Sequence, residues 1–265
     1  MNLKLYLVGI ITFIVFLSGN LFLPDKGYSQ NTITNEKSPE ESGVHFLKTP
    51  SSPLTQPEIV EISENILRIG NVLINRLDRS VSIKGEVNMT DGLVEYLACT
   101  STGKLHESIL TLFAEPYHIH TALLLLGLIP GDRPIQFQGA PEPPCGDPIK
   151  ILVAWQTKNQ HTEHRPEDLI VNFETKKIMD KTDWVFSGSQ MVDGRYMAQV
   201  EGSIAAIFHD PFAIVDHRSI SGADDRFFHA NKAILPPVGT PVEFVIFPEK
   251  DLNLKKKVSC SPKDE

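Results

Sequence analysis

Between Leu93 and Gly131 the chain compresses two short apolar runs, a polar His106-Glu107-Ser108 step and an almost wholly apolar segment ending in glycine. Leu93 to Cys99 and Leu105 to Leu112 are each the length of one strand. The turn residues Thr100 to Lys104, with Thr102-Gly103 suited to a short bulged loop, predict that they pair as a hairpin. With Cys99 facing Leu105, side-chain alternation puts Tyr96, Ala98, His106 and Ser108 on one face and Glu95, Leu97, Glu107 and Ile109 on the other. Glu115-Pro116 then opens a helix, because proline at the first helical position sacrifices no hydrogen bond. Gly127 closes it in the usual C-terminal place. The Leu123 to Leu126 block is apolar all round, which predicts one helix near residues 116–126 buried against the sheet on most of its surface. It is too short to cross a bilayer.

Periodicity elsewhere gives strands at Ile66 to Asn75 and Ser80 to Val87, where Val81 and Ile83 alternate with Ser82 and Lys84 and mark a sheet with one wet face. After the Pro-rich loop Pro134 to Pro148 come a strand at Ile149 to Trp155, an exposed excursion at His161 to Glu167 and a short strand at Asp168 to Phe173. Short strands at Trp184 to Ser187, Tyr196 to Val200, Ile204 to Phe208, Ala213 to Asp216, Phe227 to Ala230 and Glu243 to Phe247 complete the pattern. The expected fold class is α+β and β-rich, with antiparallel sheets of short strands and one buried helix.

The segments Leu93-Val-Glu-Tyr-Leu-Ala-Cys99, His106-Glu-Ser-Ile-Leu-Thr-Leu112 and His120-Thr-Ala-Leu-Leu-Leu-Leu-Gly127 resemble the YdjY-type domain, a family of bacterial exported proteins without an established activity. Asp183 to Ser189, Asp193-Gly194-Arg195-Tyr196, Glu201-Gly202-Ser203 and Gly239-Thr240-Pro241-Val242 are similar to later landmarks of that family, so the resemblance spans roughly Val60 to Pro248. It implies export and the extent of one domain, and leaves reaction, ligand and partner open. Some relatives carry a ferredoxin-like label. An iron-sulfur cluster takes about four thiolates, and this chain has Cys99, Cys145 and Cys260 alone, far apart, so no cluster is expected.

Met1 to Ser29 has the pattern of a secretory signal: Lys4, an apolar run from Leu5 to Leu17, and small residues at Gly27 and Ser29 before the expected cut. An uncleaved N-terminal anchor is the alternative, since apolar character resumes at Leu21 to Leu23. Removing residues 1–29 takes away Lys4, Lys26 and Asp25, which moves the formal net charge from −8 to −9. So acidic a chain is a poor partner for nucleic acid, and the basic run Lys255 to Lys257 sits in a tail that soon turns acidic. Residues 30–57 are polar and read as a flexible linker, residues 58–250 as the globular domain and residues 251–265 as a polar tail. No membrane span is expected after cleavage. An exported chain with three cysteines has enough for one disulfide, with Cys99 to Cys145 the pairing to test; Cys99 as an inert core thiol is the other reading.

His106-Glu107-Ser108 invites a hydrolase reading, but on a strand His106 and Ser108 stand about 7 Å apart on one face while Glu107 points to the other. No Gly-x-Ser-x-Gly elbow is present at Ser187-Gly188-Ser189. A divalent metal held by His106, Glu107, His118 and His120 is the stronger chemical option, although His118 and His120 diverge by about 200° if the helix already runs through them. His161-x-x-His164 reads as an exposed loop, and His209-Asp210, Asp216-His217 and His229 as strand-end polar groups of a common kind. No phosphate-binding loop is present. The leading expectation is therefore a non-catalytic binding or scaffolding domain of the periplasm or cell envelope. Its partner is an envelope protein or a small ligand, taken up in a groove lined by Tyr96, His106, Ser108 and Glu115. The alternative is a metal-binding protein, redox or hydrolytic, built on the histidine cluster.

Overall fold

A computed structural model describes residues 56–249, apart from 158–159. The expected leader, nearly all of the linker, the C-terminal tail and Cys260 lie outside the described residues.

Three long strands carry the alternation that the sequence displays. They are β4 (Ser80–Val87), β7 (Pro148–Gln156) and β16 (Pro241–Pro248), and β16 lies antiparallel between the other two. The inward side chains Val81, Ile83, Ile151, Val153, Phe244 and Ile246 are each at most 3% exposed. Going on from β7, the sheet adds β10 (Trp184–Phe186), β14 (Val215–His217), β13 (Ser203–Ala206), β5 (Tyr96–Thr100) and β6 (Ser108–Leu112). β6 then pairs with β4 and closes an eight-stranded barrel. Closure pairs most of the edges that a row of short strands would otherwise expose. Three strands stand outside the ring as an arm: β1 (Ile59–Ser63), β2 (Ile66–Ile69) and β3 (Val72–Asn75), with β3 sharing the edge of β4 that β6 uses further on. β8 (His161–His164) pairs with β7, and β9 (Ile170–Asn172) with β15 (Phe228–Ala230).

The sheet is mixed, which corrects the antiparallel expectation. β5 and β6 run parallel, with Tyr96 level with Ser108 and Ala98 with Leu110, so Leu93–Leu112 is not a hairpin. Leu105–Glu107 forms a 3-10 turn instead of the start of a strand and carries the chain back beside β5. Asn88 fixes that return, its Nδ2 donating to the carbonyls of Leu105 (2.6 Å) and Ser108 (2.7 Å). β13 and β14 are parallel as well. Two smaller corrections concern turns. Ile66–Asn75 is a hairpin folded at Gly70-Asn71, and only Tyr196 of Tyr196–Val200 is strand, in the two-stranded ribbon of β11 (Met191–Val192) and β12 (Arg195–Tyr196). From Tyr196 the chain turns directly into a short helix, Met197–Glu201.

The main helix, α1 (Pro116–Leu125), starts and stops where the sequence says, with Pro116 in its first turn. Gly127, at φ 84°, allows a Schellman closure in which Gly127 N donates to Leu124 O and Leu128 N to Leu123 O. Burial is narrower than expected. Pro116, Ile119, Ala122 and Leu123 are buried, while Leu124 and Leu125 are 40% and 39% exposed. The short helix Met197–Glu201, α2, packs beside α1.

Candidate functional site

The structure disperses the residues that the sequence pattern groups. His106 is in the 3-10 turn with a side chain 79% exposed, 3.5 Å from Glu107. His118 lies over the β2–β3 turn, where a Cβ on Gly70 would sit 2.4 Å from its Nδ1. His120, two residues on along α1, points elsewhere: its Nδ1 is 2.9 Å from the Tyr196 hydroxyl and its ring meets Phe186 and Tyr196 edge-on. Helical geometry drives the two rings apart, and His106, Glu107, His118 and His120 form no metal-holding group among the described residues. Of the groove expected around Tyr96, His106, Ser108 and Glu115, only Tyr96 and Ser108 are neighbours, level with one another across β5 and β6, and both are fully buried. Tyr96 bonds to Asp210, the wholly buried Ser108 donates to the carbonyl of Leu110, and Glu115 accepts from Gln199. Cys99 is a free buried thiol and Cys145 is disulfide-bonded, so the pairing Cys99 to Cys145 is not made.

What the fold gathers instead is the polar loop between β13 and β14, through the two acid-histidine doublets His209-Asp210 and Asp216-His217. His209, Asp216 and His217 are each fully buried. Asp216 Oδ1 accepts from His209 Nδ1 (2.9 Å) and from the N–H of His217 (2.6 Å), and Oδ2 accepts from the N–H of Asp210 (3.2 Å). His217 Nε2 donates to the carbonyl of Ile207 (2.7 Å), while its Nδ1 accepts from Ser219 N (3.2 Å). Burial holds the His217 pKa below the ordinary histidine value, in keeping with the neutral ring these bonds require. Beside this knot the Tyr96 hydroxyl donates to Asp210 Oδ2 (2.7 Å) and accepts from Lys104 Nζ (3.0 Å). Burial raises the Asp210 pKa above the usual carboxylate range.

The ligand-type atoms of His209, Asp216 and His217 lie within 4.8 Å of one another, as a metal site requires. Their chemistry fits a metal poorly. Both nitrogens of His217 and both oxygens of Asp216 are committed to hydrogen bonds, and the one buried atom left over, His209 Nε2, is on the far side of its ring from Asp216. Gly222 closes the ring in, since a Cβ there would lie 2.4 Å from His209 Cε1 and 2.7 Å from Nε2. The network is a fastening for the β13–β14 loop, sealed from solvent.

An open concavity lies elsewhere. A cleft of about 500 Å³ lies over β7, with Lys150, Leu152 and Phe247 along it and Arg165, Pro166, Glu167, Lys181 and Asp183 among its walls. Pro166 interrupts the strand direction of β8 and starts a 3-10 turn, Pro166–Leu169. That turn carries Glu167 inward to 4% exposure, where its Oε1 accepts from Trp184 Nε1 (3.1 Å) and from Thr182 N (3.2 Å). In sequence His161–Glu167 reads only as an exposed excursion. The signal available is Pro166 directly after a strand-length polar run.

A family model, the YdjY domain, matches residues 72–247. The chain belongs to the YdjY domain family. The matched stretch begins at β3 and ends in β16, so it takes in every strand of the closed barrel, the sealed His209 network and most of the cleft lining. No curated protein and no solved structure matches the chain. This YdjY-family barrel has no helix, among the described residues, long and apolar enough to cross a membrane.

Proposed function

We propose that this YdjY-family protein is an exported, non-catalytic binding domain of the cell envelope, with the cleft over β7 as its ligand site. Export rests on the leader pattern of Lys4, Leu5 to Leu17, Gly27 and Ser29, and on an acidic balance that suits neither nucleic acid nor an anionic membrane. One observation carries the binding reading. The acid-histidine cluster that resembles reaction machinery is 0% exposed at His209, Asp216 and His217, whereas the open cleft presents apolar surface and charges of both signs. A base that no substrate reaches does no chemistry, and a concave site of several hundred Å³ with a few polar groups is the usual form of a ligand pocket.

Expression of the full chain with a photo-cross-linking residue in place of Lys181, and separately in place of the exposed Asp193, tests this. The expected result is a mature N-terminus at Gln30 in the envelope fraction and a discrete adduct from position 181 that position 193 does not give. Retention in the cytoplasm, or the same adducts from both positions, would overturn the reading.

A further inference from the structure

The cleft opens over a break in the barrel wall. β8 and β10 run along the same edge of β7, β8 opposite Val153 to Gln156 and β10 opposite Pro148 and Ile149. Between them the chain departs at Arg165-Pro166 and returns at Asp183-Trp184. The N–H of Glu249 donates to the carbonyl of Pro148 (3.0 Å), which fixes the alternation along β7. In an antiparallel ladder, residues that bond to one neighbour alternate with residues that bond to the other. Even-numbered β7 residues therefore serve β16, and odd-numbered ones turn their N–H and C=O the opposite way. Ile149 meets β10, and Val153 and Trp155 meet β8. Ile151 turns its N–H and C=O toward the break, with no strand opposite it among the described residues.

The side chains around the break are those of a recognition site. Leu152, Phe247 and Pro166 supply apolar surface. Lys150 and Lys181 are exposed and make no ion pair among the described residues. Arg165 is held by Asp168 at 3.0 Å. Glu167 has Oε1 occupied, which leaves Oε2 for an incoming donor. Asp183 and Glu249 oppose a polyanion. An extended peptide matches the whole set, because a single residue offers a donor and an acceptor with strand spacing while its neighbours bring apolar contact and charge.

We propose that the cleft takes an extended peptide segment of an envelope partner, antiparallel to β7, with one residue bridging to the backbone of Ile151. This rests on the binding-domain reading and names its ligand class. Antiparallel pairing sets the residue before the bridge against Leu152 and the residue after it against Lys150, so the fitting order is apolar, small, acidic.

The probe is acetyl-Leu-Ala-Asp-amide, titrated into the ¹⁵N-labelled protein recovered from the envelope fraction and followed by NMR. The Ile151 amide and the Trp184 indole N–H are expected to shift, and exchange of the Ile151 amide to slow. Methylating the alanine nitrogen of the probe removes the effect, and Lys181→Glu weakens binding by about tenfold. Silence at Ile151, or equal binding of the methylated probe, overturns the proposal. Response to a peptide of residues 250–259 in place of the probe would assign the cleft to the chain's own tail, and a shift that grows with protein concentration alone would assign it to a second copy; both overturn the envelope partner. A cross-link from position 181 with a silent Ile151 amide retires the peptide and keeps the binding domain, whereas loss of both retires the two together.

Discussion

His209 Nδ1 lies 2.9 Å from Asp216 Oδ1, and neither side chain exposes any surface. The pair ties the two ends of the loop that joins the parallel strands β13 and β14, a connection much shorter than most parallel crossovers. Short crossovers leave backbone groups that no ladder satisfies, and here the Asp216 carboxylate collects three N–H donors, from His209, Asp210 and His217.

Asp216→Ala is therefore expected to be severely destabilising. It strands three buried N–H donors at once, and each buried donor left unsatisfied costs about 1–3 kcal/mol. The urea midpoint should fall far while the transition slope stays constant. An unchanged midpoint would show that the network does not hold the loop.

Gly222→Ala isolates packing from backbone strain. The new Cβ would meet the His209 ring at 2.4 Å, in a place where the ring is pinned by Asp216 and walled in. A loss of about 2 kcal/mol or more is expected from overpacking. Gly194→Ala, at φ 73° with nothing within 4 Å, meets only the left-handed backbone cost of about 1 kcal/mol. Thermal unfolding of the two variants should rank them in that order.

Much of this fold is legible in the sequence where periodicity is strong. β4, β7 and β16 alternate over eight or nine residues, and α1 is bracketed by Pro116 and Gly127. Strand direction is not legible, because Tyr96–Thr100 and Ser108–Leu112 show the same pattern whether they pair parallel or antiparallel. In the folded chain the return segment is held by Asn88, a residue from another part of the sequence. Met197–Glu201 is too short for a helical period to show. His209-Asp210 and Asp216-His217 are visible as doublets, but their convergence depends on a parallel pairing that no local signal announces. The helix histidines stand out for the opposite reason. His118 and His120 are close in sequence and apart in space.

Cys99 tests the thiol assignment directly. It is wholly buried, and burial pushes its pKa up to about 12, so the reactive thiolate is scarce at neutral pH. Iodoacetamide should leave Cys99 of the native protein unmodified. In denaturant without reductant, peptide mapping should find the label on Cys99 and none on Cys145, which is disulfide-bonded. Labelling of native Cys99 would show that the strand pair β5–β6 opens readily.

His120 gives the pH dependence its sign. Burial between α1, Phe186 and Tyr196 lowers its pKa from 6.5 to about 4, so the folded protein holds the ring neutral while the unfolded chain protonates it. The stabilisation is fully present above pH 6.5 and is lost as pH falls from there toward 4. At 1.36 kcal/mol per pH unit the full loss is about 3 kcal/mol. His217, whose pKa is lowered by burial too, adds to the same acid limb. His120→Asn keeps a polar group near the Tyr196 hydroxyl without an ionisable ring. Its stability, measured against pH by urea unfolding, should decline less steeply between pH 6.5 and 4 than that of the parent. A parallel decline in the two proteins would place the acid sensitivity outside this helix.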